Sequence, residues 1–205
     1  VTDLLLHSSR RRFLALGGAF ALAACTTTDA PRPTFAPIRF RGRPAFRLNV
    51  ERVEIAHKYQ APGRLPNIDH ILTNSPASVM TAWAEDRLEA GGQPGGAIAV
   101  YSILDGSIVE KELPKTQQGL QGVFTRAQAF QYDGHLAVEL IIRSPQGMSD
   151  GMVRGEVRTT RTLHEDATET ERQTLWNDMV QAMASEVAGQ LERNLPVGFN
   201  RYILY

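Results

Sequence analysis

The chain has 205 residues, 22 Lys and Arg against 22 Asp and Glu, and a formal charge of zero. That balance gives no basic excess for nucleic acid or another polyanion. The sole cysteine, Cys25, excludes disulfide stapling and thiolate metal sites within a monomer.

The chain opens on a leader. Arg10, Arg11 and Arg12 precede the apolar run from Phe13 to Ala24, and small residues precede Cys25. A basic start, a short apolar stretch and a small-residue cut site predict a signal peptide over 1–24, too short to span a bilayer. Leu22-Ala23-Ala24-Cys25 resembles the lipobox of bacterial lipoproteins. That resemblance implies that the Cys25 sulfur is lipidated, that cleavage precedes it and that the new amino terminus is acylated. Two or more acyl chains hold a protein stably to a bilayer, whereas one does so only marginally. Thr26 follows, where aspartate is the enteric signal for inner-membrane retention. The resemblance therefore implies outer-membrane anchoring facing the periplasm, with inner-membrane anchoring as the alternative. Ser9-Arg10-Arg11-Arg12-Phe13-Leu14 also resembles the twin-arginine export motif, and an ordinary basic n-region fits it as well.

Residues 25–45 read as the lipidated terminus and a tether, broken by Pro31, Pro33 and Pro37. A single domain then spans 46–205, enough for a real core. A first strand is expected over 46–59. Phe46, Leu48 and Val50 alternate, Val53 and Ile55 alternate in the opposite parity, and a bulge near Glu51-Arg52 would reset the phase. Ser75-Pro76 opens a helix, as N-cap and first helical residue. Val79, Met80, Trp83, Ala84, Arg87 and Leu88 trace its stripe, and Gly91-Gly92 supplies its stop. Ile98 to Val109 reads as β structure, with Asp105-Gly106 as a kink in preference to a turn. Phe124, Phe130 and Tyr132 before Asp133-Gly134, and Leu136, Val138, Leu140 and Ile142 after it, predict a hairpin turning at Asp133-Gly134. A loop over 144–151 leads to a strand whose outer face carries Arg154, Arg158 and Arg161. A last helix is expected over 169–195. Thr168 and Glu171 form its capping box, and the stripe runs from Leu175 and Trp176 through Met179, Met183 and Val187 to Leu195, before Pro196. Phe199, Tyr202, Ile203, Leu204 and Tyr205 form an apolar tail that either packs back or meets a partner.

The predicted order is β-α-β-β-β-α. It describes an α+β fold: a small, mostly antiparallel sheet with two helices on one face. Chemistry is sparse. Gly91 to Gly96 follows a helix instead of opening one, so it reads as a connector and not a phosphate loop. His57, His70, His135 and His164 lack metal-ligand spacing, and Asp69-His70 is an adjacent acid–histidine pair. Glu165, Asp166, Glu169 and Glu171 suit a helix N-terminus. No catalytic residue, cofactor or metal is expected. With the lipobox, the tether and the element order, the chain looks like small envelope lipoproteins, either those of lipopolysaccharide assembly or auxiliaries of lipid-trafficking ABC systems. That likeness implies a non-enzymatic, lipid-anchored accessory subunit with a membrane and an envelope protein as partners. The alternative is a periplasmic module binding a lipid or small ligand between helix and sheet.

Overall fold

A computed structural model describes residues 33–114 and 128–205. The expected leader, the twin-arginine run, Cys25 and Phe124 lie outside the described residues. The fold is α+β. In chain order it comprises β1 (Phe46–Leu48), β2 (Arg52–His57), a 3-10 turn (Asp69–Ile71), α1 (Pro76–Arg87), β3 (Leu88–Ala90), β4 (Ile98–Glu112), β5 (Gln128–Arg143), β6 (Ser149–His164), α2 (Glu169–Gly198) and β7 (Ile203–Leu204). The strands form two sheets, ordered β3-β1-β7 and β2-β4-β5-β6. In the larger sheet β2 runs parallel to β4, and the other pairs are antiparallel.

Local chemistry accounts for both helices. The Ser75 side chain accepts from the Ser78 N–H at 3.2 Å, and Pro76 occupies the first helical position, where an N–H has no partner to lose. Thr168 accepts from Glu171 N–H at 3.2 Å while Glu171 accepts from Thr168 N–H at 2.8 Å, closing the expected capping box. Both helices lie on one face of the larger sheet. A Cβ on Gly106 of β4 would come within 3.1 Å of Ala77 in α1, and one on Gly134 of β5 within 2.6 Å of Met179 in α2. The two glycines share that face, since Gly106 pairs with Leu136 and residues 134 and 136 point the same way. Trp83, Tyr101, Ile103, Tyr132, Leu136, Val180 and Leu191 fill the space between, each fully buried. Trp83 and Tyr101 sit 5.7 Å apart, and Trp176 meets Tyr132 edge-on at 5.7 Å. Met179 and Met183 belong to this core.

Several elements differ from the sequence reading. The expected strand over 46–59 is two strands in two sheets. The parity change at Glu51-Arg52 marks the step between them, where Glu51 N–H donates to Ala97 C=O, and not a bulge within one strand. The expected hairpin at Asp133-Gly134 does not turn. Both residues lie inside β5, paired with Val109 and Ile108 on one side and Thr160 and Thr159 on the other. Gly134 serves close approach of α2 and not a positive φ. The kink expected at Asp105-Gly106 is present, as a register shift between Ile103 and Asp105. α1 ends at Arg87 because Leu88 goes extended and pairs with Phe46. α2 continues one turn past the expected stop, with Pro196 inside its last turn.

Two segments tie the fold together. Residues 33–45, expected as part of a tether, form no helix or strand but lie against the helices. Phe40 N–H donates to Asp86 at 2.9 Å, Arg41 reaches the same carboxylate at 3.1 Å, and Asn74 donates to Ala36 C=O at 3.1 Å. Arg87 is only 3% exposed. Its guanidinium meets Glu192 at 3.1 Å, donates to Pro44 C=O and lies 5.2 Å from the Phe46 ring centroid. The C-terminal tail packs back: Phe199 is 1% exposed, Asn49 N–H donates to Tyr202 C=O, and β7 pairs with β1.

Candidate functional site

The face of the larger sheet opposite the helices is where polar side chains converge. Alternation sends Ser107 and Val109 of β4, Gln131, Asp133, His135 and Glu139 of β5, and Arg154, Glu156, Arg158 and Thr160 of β6 to this side. Register sets Asp105 and Glu156 on either side of Ala137, and His135, two residues before Ala137 on the same face of β5, reaches both diagonally. His135 Nδ1 lies 2.9 Å from Asp105 Oδ2, and Nε2 lies 2.9 Å from Glu156 Oε1. Each carboxylate has further partners. Asp105 Oδ1 accepts from Ser107 N–H at 2.9 Å and its hydroxyl at 2.7 Å. Glu156 meets Arg154 at 2.7 Å and Arg158 at 3.3 Å. The His135 hydrogen bond leads in holding the Glu156 carboxyl below its ordinary pKa against desolvation, with Arg154 assisting.

A second group lies one step along the strands. Asp133 accepts from Lys111 at 2.7 Å, Thr160 at 2.8 Å and Gln131 at 2.9 Å. The Lys111 hydrogen bond leads in lowering the Asp133 pKa, with Thr160 and Gln131 adding to it. Ser107, Val109, Asp133, His135, Arg158 and Thr160 border a shallow depression of about 480 Å³. Apolar side chains interrupt the charges: Val100, Val109 and Ile141 are half-buried, and Met152 is 57% exposed.

β6 is one edge of this sheet, with β2 at the other, and it is closed at its middle. Gln190 of α2 accepts from Glu156 N–H at 2.9 Å and donates to Glu156 C=O at 3.1 Å. One side-chain amide thus satisfies both outward backbone groups of that residue, as a neighbouring strand would.

Both His135 ring nitrogens face carboxylates, each at 2.9 Å. The adjacent pair Asp69-His70 does not form a dyad. Asp69, 2% exposed, accepts from the Tyr59 hydroxyl at 3.0 Å, whereas His70 is exposed. His164 lies 2.6 Å from Asp166 at the entry to α2. Among the described residues no group of three or more His, Cys, Asp or Glu side chains is placed to hold a metal ion. Cys25, the predicted lipidation site, lies outside the described residues. The sequence reading missed the Asp105-His135-Glu156 row. Its signal, three outward positions on neighbouring strands, needs the register, and the misplaced turn at Asp133-Gly134 cut β5 in two.

No helix of the described residues is long and apolar enough to cross a membrane. No protein-family model and no curated protein matches the sequence. Among solved structures, the chain is similar to a minor lipoprotein from Acinetobacter baumannii, with 12% identity and a TM-score of 0.36 over 77% of this chain and 98% of that one. It is also similar to a PelC dodecamer from Paraburkholderia phytofirmans, with 13% identity and a TM-score of 0.23 over 77% of this chain and 93% of that one.

Proposed function

We propose that this chain is a non-enzymatic, lipid-anchored accessory subunit of the bacterial envelope, held by lipid on Cys25 and serving lipid transport or assembly. Its protein partner docks on the helix-free face of the larger sheet. The anchoring rests on the lipobox-like Leu22-Ala23-Ala24-Cys25, with the outer membrane, facing the periplasm, as the proposed site. The docking rests on one observation: both described helices bury one face of the sheet, while the opposite face presents paired charges with half-buried apolar side chains between them. Such a mixture is what transient protein interfaces bury.

A second reading, a small-ligand module, has one observation in its favour, the depression of about 480 Å³ on the same face. The ligand would be polar, given Asp133, His135, Arg158 and Thr160. The space between helices and sheet, where the alternative reading puts a lipid or small ligand, is occupied by Trp83, Tyr101, Tyr132 and Trp176.

Site-specific photo-crosslinking of the full chain in cells tests the docking. A photoreactive amino acid replacing Val100, Ile141 or Met152 on the sheet face is expected to trap one envelope protein. The same replacement at Gln181 or Ser185, exposed on α2, is expected to trap none. Adducts from the helix positions alone would remove the sheet face from the interface. No adduct from any position would refute the protein-partner reading.

A further inference from the structure

We infer that the loop carrying Leu65 and Ile71 is the surface with which the anchored domain rests on the bilayer. The inference rests on the lipid-anchored reading above. Leu65 is 68% exposed and Ile71 is 56% exposed. Arg64 precedes one and His70 the other, and both are exposed. A basic side chain next to an apolar tip suits the headgroup boundary of an anionic bilayer.

The fold places these residues at the end where the chain comes from its anchor. Pro33 and Phe35, Ile71 and Leu72, and Gln173 and Trp176 of α2 border one depression of about 200 Å³. Leu65 belongs to the same end, because Glu110 N–H donates to Pro66 C=O and the Glu110 carboxylate takes Arg172 at 3.2 Å. Cys25 precedes Pro33 by only eight residues. Even fully extended, that segment reaches no more than about 29 Å. The strap then stays fixed, through Ala36, Phe40 and Arg41, to the helices. An anchor with that reach keeps the α2 N-terminal end beside the membrane.

Among the described residues Met148, Met152 and Val197 are also exposed, and they lie at the far end of α2. Gly198 approaches Val153, and Tyr202 bonds Asp150, which fixes that end to the β5–β6 turn. The 30 residues of α2 separate the two ends by about 45 Å. The short anchor holds the Leu65 end near lipid and leaves the Met148 end facing away.

Depth-dependent fluorescence quenching tests this. An environment-sensitive fluorescent amino acid replaces Leu65, Ile71 or Met148 in the full chain, and each variant is purified from membranes and reconstituted into phosphatidylethanolamine–phosphatidylglycerol vesicles holding a lipid-borne quencher. Intact mass reports separately whether Cys25 carries acyl chains. Labels at 65 and 71 are expected to be quenched at least about threefold more than the label at 148, as for side chains seated at the headgroup boundary. Acylated protein with equal quenching at all three positions, or stronger quenching at 148, overturns the docking and leaves the anchor standing. Unacylated protein that still shows preferential quenching at 65 and 71 upholds the docking and overturns the anchor. Unacylated protein without preferential quenching overturns both.

Discussion

Arg87→Met should weaken the fold by about 3 kcal/mol, and the estimate can be built from its contacts. Its guanidinium is shielded from water, so stripping one partner of such a pair costs about 3–5 kcal/mol where the other is left alone. Glu192 is not left alone, because Arg43 also reaches it, which moves the expected cost to the lower end. Pro44 C=O loses a donor, worth about 1–3 kcal/mol if no water replaces it. The Phe46 ring loses a cation, worth about 0.5–1 kcal/mol. Methionine recovers part of this by keeping the apolar stem packed. At roughly 2–4 °C per kcal/mol for a domain of this size, the midpoint should fall by about 6–12 °C. Urea unfolding followed by the fluorescence of the buried Trp83 and Trp176 measures the change. A cycle with Glu192→Gln should give a coupling of about 1–2 kcal/mol, since the two side chains touch. Trypsin should also cut the variant faster at Arg39 and Arg41, because the strap loses its hold at Pro44. A loss under about 1 kcal/mol together with unchanged strap cleavage would refute the idea that this arginine fastens the strap, α1 and α2 to one another.

Gly92→Ala should cost about 2–4 kcal/mol, because a Cβ there would sit 2.7–2.8 Å from the Val50 backbone, which has no side chain to swing aside. Gly42→Ala, with open space around it, should stay within about 0.5 kcal/mol of the parent, and equal unfolding midpoints would refute the close approach. Deleting 199–205 should abolish cooperative unfolding or cost at least about 4 kcal/mol, since it removes buried Phe199 and all of β7; a stable truncated domain in circular dichroism melts would show the tail to be dispensable. Asp133 has a lowered folded-state pKa, so the stability it brings is complete above its ordinary value of 3.8 and is lost as pH falls through the folded one. Asp133→Asn should therefore lose stability at pH 7 and flatten the acid limb of the unfolding midpoint; parallel acid limbs in parent and variant would contradict the sign.

The helices were legible because their signals are local. Ser75-Pro76 and Thr168 with Glu171 cap within one turn, and the stripes of Trp83 and Trp176 face the core as the spacing requires. The larger sheet was legible as alternation but not as pairing. Asp133-Gly134 matches a hairpin turn in composition, yet Gly134 is small so that α2 can approach, and the sequence alone cannot separate a glycine kept for its φ from one kept for its size. The change of parity near Glu51 likewise fits either a bulge or a step between sheets, and only the partner, Ala97, decides. Three-residue β1 and β3 and two-residue β7 are below the length at which alternation can be read at all. The Asp105-His135-Glu156 row depends on all of these, because residues 21 and 30 positions apart meet only when the register is fixed.

The closed edge at Glu156 narrows how a partner can approach. A sixteen-residue edge strand such as β6 would ordinarily invite strand addition along its length. Gln190 occupies both backbone groups of Glu156 near its middle, and an incoming strand would have to displace that amide, leaving it only the Glu186 carboxylate that it also meets at 3.1 Å. The same Glu156 turns its side chain onto the sheet face, where it gathers His135, Arg154 and Arg158. One residue thus closes the edge through its backbone and organises the face through its carboxylate. A partner meets fewer obligatory losses on the face, where the charges already satisfy one another, than along the edge. Gln190→Ala should then open β6 and promote concentration-dependent self-association in sedimentation velocity, while adduct formation from Ile141 and Met152 persists. Self-association unchanged from the parent would mean that Gln190 is not what guards the edge.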